Sequence, residues 1–399
     1  MKKILYVGNF SFPNGNASGS RVLGNGYLFE KLGYEVFYIG LDNTLSQNSI
    51  LKDTKKIFDN FRYYNLPYPV GIKGWLAYSK RFKEVITLVQ DEDLYAVIIY
   101  GSPTLSLFGR LIRQWCRKNE IKFITDCVDW LSVSAGGILY RSVKYIDTIY
   151  QKCILNFSAD GVIAVSSYLS KYYNGRGCQT VVIPPLVNVN KFILDSELYC
   201  NNDVMNLIYV GRPFAFVFNG RRAKEASYKD RLDKVISILY CLRDMPFVFN
   251  IYGLTKDQYL EVIPGQKYFI SVLGNKIQFH GFINNIDAIK EVSKADFTIL
   301  FRDVNRMTTA GFPTKFVETI SCGTPIITTK TSDLEKFLKP GKNGFFVDIT
   351  DHDALLKQIK DIISLDRSSI RLMKKYCKDS NLFSYHNYTN ELNQFMKTL

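Results

Sequence analysis

Short apolar runs rich in β-branched and aromatic residues, several closing on a glycine, recur along this chain with helical patterns between them. In the first half they are Ile4–Gly8, Glu35–Gly40, Ala96–Gly101, Lys122–Thr125, Gly161–Val165 and Thr180–Ile183. Helical periodicity falls over Val22–Leu32, Leu76–Val89, Leu105–Arg117 and Val143–Phe157. The second half repeats the logic, with strands predicted at Asn206–Gly211, Val248–Gly253, Ile277–Gly281, Phe297–Phe301, Pro325–Thr329 and Phe345–Val347. Helices are expected near Asp230–Leu242, Ile286–Ser293, Phe312–Ser321, Asp353–Ile363 and Ser368–Cys377. Alternation of this kind implies an α/β chain whose strands run parallel in doubly wound sheets.

At 399 residues the chain is too long for one typical domain. The seam is expected within Pro184–Asp203, which opens on Pro184-Pro185 and ends on Asn201-Asn202-Asp203. That places one Rossmann-like domain at 1–186 and a second at 187–380. A last helix is expected over Phe383–Met396, within a segment of about 381–399.

The net charge of +14 is unusual, and both halves are basic, so anionic partners are expected: nucleotide phosphates, lipid headgroups or nucleic acid. No nucleic-acid module is recognisable, and that class is set aside. The eight cysteines form no Cys-x-x-Cys. Cys127, Cys153, Cys241 and Cys322 sit in apolar contexts and read as reduced core thiols of a cytosolic protein. The three histidines lie far apart, so no zinc-type cluster is expected. Met1–Gly8 reads as a strand rather than a signal peptide, and no window of about 18 residues is free of charge. Lys73–Lys83 and Tyr140–Tyr145 mix aromatics with cations, as interfacial helices do, which makes an anionic membrane surface a candidate partner.

Ligands of doubly wound sheets bind beyond the carboxyl ends of the strands. The chemistry-bearing stretches fall on such loops. The most specific is Gly311-Phe312-Pro313-Thr314-Lys315-Phe316-Val317-Glu318, continuing through Cys322-Gly323-Thr324-Pro325 into a buried strand. Pro313 suits the first turn of a helix, Phe316, Val317 and Ile320 supply its apolar face, and Gly323 ends it. A helix that starts after a glycine turn offers unpaired N–H groups to a phosphate. Near the N-terminus, Gly8–Arg21 follows the first strand, and Ser20 could cap the next helix. It lacks dinucleotide-fingerprint spacing, so NAD is not inferred.

The Gly311–Pro325 stretch resembles the nucleotide-sugar signature of the retaining glycosyltransferases of family 4, in the Gly-x-Pro-x-Lys version common among polysaccharide assembly enzymes. The resemblance implies the GT-B fold, two Rossmann-like domains facing each other across a cleft, with the last helix, Phe383–Met396, crossing back onto the first domain. It implies transfer of a sugar from a nucleoside diphosphate sugar, UDP-linked rather than GDP-linked, to a lipid-linked glycan. It implies no metal and no other cofactor. Glu318 matches the second of two family glutamates, the one that holds the donor ribose, whereas Ala310 stands where the first would be.

By the same resemblance, Tyr209-Val210-Gly211-Arg212 supplies the arginine that holds the diphosphate, with Lys229 as its partner and Phe214–Ser227 as an insertion carrying Arg221, Arg222 and Lys224. Donor contacts are implied for Gly15, Gly19, Gly253, Phe282, Ile283, Arg302, Gly311, Phe312, Pro313, Thr314 and Lys315. Arg302 is expected to face the cleft. Acceptor contacts are implied for Ser18, Arg21, Asp126 and Asp129, the last standing where the family often has a histidine. Asp129, Arg212, Lys229 and Glu318 are the catalytic candidates. The implied location is cytoplasmic, with peripheral attachment to the inner face of the cell membrane as the membrane-side expectation. Ala310 also motivates an alternative, an idle GT-B subunit that binds a glycan or partner and supports an active transferase.

Overall fold

The computed structural model describes residues 1–13, 16–101, 106–130, 138–188, 204–214, 225 and 228–399, apart from the side chains of 72, 76 and 138–140. The chain divides into two compact units. Unit 1 comprises Met1–Asn188, Ala310–Phe312 and Ser384–Leu399; unit 2 comprises Val189–Thr309 and Pro313–Phe383.

In unit 1 the strands are β1 (Lys3–Gly8), β2 (Glu35–Asp42), β3 (Lys56–Phe58), β4 (Phe61–Pro67), β5 (Leu94–Tyr100), β6 (Lys122–Cys127), β7 (Gly161–Ala164) and β8 (Thr180–Val182). They form one sheet in the order β3-β4-β2-β1-β5-β6-β7-β8, parallel throughout except for the antiparallel edge pair β3–β4. The period of two along each central strand separates two cores. Ile4, Tyr6, Tyr38 and Ile98 face one side, and Leu5, Val7, Ile39 and Ile99 face the other. Both sides are buried, as a sheet built by helical crossovers requires.

The helices of unit 1 are α1 (Ala17–Lys31), α2 (Gly71–Ala77), α3 (Phe82–Val89), α4 (Ser106–Lys118), α5 (Ile138–Tyr150) and α6 (Ser167–Asn174). Asn16, not Ser20, caps α1: its side chain accepts from the Gly19 N–H at 2.8 Å, and Ser20 lies inside the helix. The predicted helix Leu76–Val89 breaks at Tyr78–Arg81 into a 3-10 turn, because the Tyr78 ring is drawn into the core against Phe108. The one predicted over Val143–Phe157 starts earlier, at Ile138, and after Tyr150 widens into a π turn over Gln151–Leu155.

Unit 2 carries β9 (Met205–Val210), β10 (Phe247–Tyr252), β11 (Ile277–Gly281), β12 (Phe297–Leu300), β13 (Ile326–Thr329) and β14 (Gly344–Val347). All are parallel, in the order β11-β10-β9-β12-β13-β14. Written by rank this is 3-2-1-4-5-6, the dinucleotide-fold order, and the direction of winding reverses between β9 and β12. Its helices are α7 (Leu232–Cys241), α8 (Lys256–Val262), α9 (Lys267–Leu273), α10 (Asn285–Lys294), α11 (Arg306–Ala310), α12 (Thr314–Ser321), α13 (His352–Ile363) and α14 (Arg367–Ser380).

Asn381, in the left-handed conformation, ends α14. Phe383 still packs in unit 2, with ring centroids 5.8 Å from Phe316 and 4.9 Å from Phe337. The chain then joins unit 1. Tyr385 stacks on Tyr27, and α15 (Thr389–Thr398) buries Leu392, Phe395 and Met396 in the core beneath β1 and β5. The terminal helix thus starts six residues later than the sequence pattern predicts, since Phe383 is held in the other unit.

Of the cysteines expected in the core, Cys127 and Cys322 are buried, whereas Cys153 and Cys241 are exposed near helix ends. Among the described residues no disulfide forms, no group of three or more His, Cys, Asp or Glu is placed to hold a metal ion, and no helix is long and apolar enough to cross a membrane.

Candidate active site

The switch point of unit 2 lies where β9 runs into Gly211-Arg212 and β12 into Phe301-Arg302. Backbone packing there is tight. Gly253, with φ of +106°, lies so close to Gly211 that an added Cβ would fall 2.5 Å from the Gly211 carbonyl oxygen. Only glycine fits both the conformation and the space.

One carboxylate organises the side chains of this crevice. Asp230 is almost fully buried and accepts from Lys315 Nζ at 2.5 Å, Arg302 Nε at 2.8 Å and the Tyr209 hydroxyl at 2.7 Å. Lys315 also lies 2.9 Å from the Tyr209 hydroxyl and over its ring. Burial alone would raise the Asp230 pKa, but Lys315 and Arg302 more than offset it and hold the carboxyl well below its usual range. Burial pushes the Lys315 ammonium down to about 8, with Asp230 resisting. Two cations share one anion, so the cluster keeps a surplus positive charge at the carboxyl edge of the sheet.

Lys315 stands in the first turn of α12. Pro313 occupies the cap position with extended backbone, outside the first turn, and gives α12 no side-chain cap. The helix therefore starts at Thr314 rather than Phe312, with its N-terminal dipole end unclaimed by a side chain. One turn in, Glu318 keeps partial exposure but is packed among Val210, Ile289, Leu300 and Cys322 around a cavity of about 30 Å³. Burial raises its carboxyl to about 7, and Lys315 opposes the shift.

The remaining candidates of unit 2 divide by exposure. Arg212 and Lys229 are both exposed, and the Lys229 N–H donates to the Pro213 carbonyl at 2.7 Å. Arg302 does not project outward as expected; it is buried because Asp230 draws it in and Thr329 binds its backbone. Arg231, two residues beyond Lys229, is consumed by Glu225, Asp233 and Asp303. Phe282 is 79% exposed and Ile283 half-buried beyond β11. His280 stacks on Tyr252 and its Nε2 lies 2.8 Å from Asn250, a packing role. Gly311 is partly exposed, whereas Phe312 and Ala310 are buried.

In unit 1 the acceptor candidates separate. Arg21 and Asp126 form a buried ion pair, with Nη2 to Oδ1 at 2.6 Å; Asn25 and Tyr6 also donate to Asp126, and Arg21 Nη1 donates to the Ile183 carbonyl at 2.9 Å. They tie α1 to β6 and to the residue that follows β8, and among the described residues the partners they reach are internal. Gly19 is buried too: a Cβ there would fall 2.1 Å from the Ser11 carbonyl, so it serves helix–loop packing. Ser18 donates to Asn16 at 2.6 Å. Asp129 alone of the acidic pair is exposed, beside Gln151 and Lys152 of the π turn. Gly15, and Arg221, Arg222 and Lys224 of the 214–227 segment, lie outside the described residues.

Comparison of the whole chain with solved structures decides the architecture. Sucrose-phosphate synthase from Thermosynechococcus elongatus superposes with a TM-score of 0.73 at 16% identity, covering 100% of this chain and 98% of that one. The fold is GT-B. Anabaena HepE in complex with UDP and glucose shares it, with a TM-score of 0.64, 15% identity and 100% of both chains covered. So does an α,α-trehalose-phosphate synthase (UDP-forming) from Burkholderia vietnamiensis, with a TM-score of 0.69, 9% identity and coverage of 100% and 99%. Within the GT-B chain, residues 263–379 match the family model for glycosyl transferases group 1, a segment that contains Lys315 and Glu318. No curated protein matches the chain by sequence.

Asp230 is the site residue that sequence reasoning missed. It was visible only as the second residue of Lys229-Asp230-Arg231, where an acid at a helix start reads as an ordinary dipole partner.

Proposed function

We propose that the chain is a retaining, metal-independent glycosyltransferase. It moves a sugar from a nucleoside diphosphate sugar, UDP-linked by preference, to a lipid-linked glycan during cell-surface polysaccharide or glycoconjugate synthesis, on the cytoplasmic side of an anionic membrane. The observation that carries the reading is the Asp230-held pair Lys315 and Arg302 beside the open end of α12, with Glu318 one turn further on. A leaving diphosphate develops charge as its bond to the sugar breaks, and pre-positioned cations stabilise that charge without reorganising. Arg212 and Lys229, both exposed on the same edge, add to the field. Glu318 accepts from the donor ribose hydroxyls. The acceptor hydroxyl attacks the face that the diphosphate leaves, and its proton passes to the departing phosphate oxygen.

The test is thermal stabilisation by UDP, GDP, ADP, CMP and their sugars, since a ligand of the native state raises its stability by mass action. One diphosphate is expected to stabilise the wild type but not Glu318→Ala. No shift with any of them overturns the donor site. A second reading, an idle subunit supporting an active partner, is favoured by Ala310: a fully buried alanine stands where the family's first glutamate would be. Sugar transfer by the purified chain excludes it; nucleotide binding without transfer supports it.

A further inference from the structure

Helix α5 inverts the usual polarity of a surface helix. Tyr145, Ile146 and Ile149, spaced along one face, are 57%, 67% and 40% exposed, and Ile154 just beyond continues the stripe. Soluble surfaces rarely leave such a contiguous apolar strip open. Beside it lies an open groove of about 310 Å³ between α4 and α5, walled by Trp75, Leu107, Val143, Ile146 and Tyr150. Its buried carboxylate, Asp147, is turned inward and accepts from the Ser106 N–H at 3.1 Å and from the Ser106 hydroxyl.

Exposed cations gather around this face. Leu107, Arg110, Gln114 and Arg117 recur at helical spacing along the exposed side of α4, a helix with four cations and no acid. Arg141 of α5 and Lys73 of α2 are exposed as well. Acids on the adjoining segments are already engaged: Asp147 by Ser106, and Glu84 by Arg81 at 2.7 Å. Apolar side chains that enter the acyl boundary, flanked by cations, suit an anionic bilayer.

We propose that the α2–α4–α5 face of unit 1 docks on an anionic phospholipid bilayer, and that the groove lined by Trp75, Leu107 and Ile146 takes a hydrocarbon chain of one lipid. The proposal deepens the membrane-side part of the reading above and rests on it. The donor site is tested separately by nucleotide stabilisation, so failure of one is distinguishable from failure of the other.

The experiment is co-sedimentation of the full chain with phosphatidylcholine vesicles, with and without phosphatidylglycerol. It is paired with tryptophan quenching by lipids brominated in the acyl chain. Binding is expected only with the anionic vesicles and is expected to weaken with salt. Arg110→Glu with Arg141→Glu is expected to lower partition at least about tenfold, each lost cation being worth roughly fivefold before reversal is counted. Ile146→Asp with Ile149→Asp is expected to do the same, while both pairs keep the wild-type melting temperature and UDP stabilisation, since all four residues are exposed. Acyl-chain quenching is expected to fall in Trp75→Phe. Equal partition into neutral and anionic vesicles, or unchanged binding by both double variants, overturns the proposal. So does a wild-type dimer that Ile146→Asp with Ile149→Asp converts to a monomer, which would make this face a protein interface.

Discussion

The Asp230 carboxylate and the Lys315 ammonium meet at 2.5 Å across 85 residues of sequence, joining the loop after β9 to the first turn of α12. Removing one member of such a buried pair strands the other charges. Asp230→Asn leaves Lys315 and Arg302 without their anion, and a loss of about 3 kcal/mol in denaturant unfolding is expected. Nucleotide binding, read by titration calorimetry, is expected to weaken at least tenfold because Lys315 loses its position. Unchanged affinity would remove Asp230 from the site.

Two groups of this site titrate near neutrality, Glu318 at about 7 and Lys315 at about 8. On the proposed reading the donor meets the ionised glutamate and the charged lysine, so kcat/KM for the donor is expected to rise through the first value and fall through the second. Glu318→Gln is expected to abolish the acid limb together with most activity. Lys315→Arg is expected to move the alkaline limb upward. A flat profile between pH 6 and 9 contradicts the assignment.

Stability carries the sign of the same shift. Glu318 has a higher pKa folded than unfolded, so the folded state binds the proton more tightly. Any cost of its charge is absent below the unfolded value near 4.5 and complete above about 7. Glu318→Gln is therefore expected to be more stable than wild type at pH 8, by about 1–2 kcal/mol once partial exposure is discounted, and equal to it at pH 4. Melting curves at the two pH values check this.

Gly253 and Gly177 separate strain from crowding. Both have positive φ, but nothing lies within 4 Å of a Cβ at Gly177, whereas one at Gly253 meets the Gly211 carbonyl. Gly177→Ala is expected to cost about 1 kcal/mol and leave UDP binding unchanged. Gly253→Ala is expected to cost about 3 kcal/mol and weaken UDP binding, because the backbone after β9 must move.

Phe395 of α15 is buried in unit 1, with its ring against Gly161 of β7. Phe395→Ala is expected to destabilise the protein by about 3–5 kcal/mol in denaturant melts. A loss under 1 kcal/mol would mean that the terminal helix is dispensable to that core.

The alternation of apolar runs and helical patterns was enough to determine both parallel sheets, since strands buried on two faces read as continuous apolar runs wherever they fold. The edge was not legible. Strands β3 and β4 went unread because Phe61–Pro67 mixes tyrosines, an asparagine and a proline without alternation. Local chemistry also placed α12 and its neighbouring strand ends within a residue or two. Only the tertiary structure decided what the charges do. Nothing in the sequence pairs Arg21 with Asp126 or Asp230 with Arg302, yet all four are buried and paired across 72 to 105 positions. Periodicity records which face of an element is apolar; the partner of a buried charge is set by which loops the sheet order brings together, and that order is a property of the folded chain.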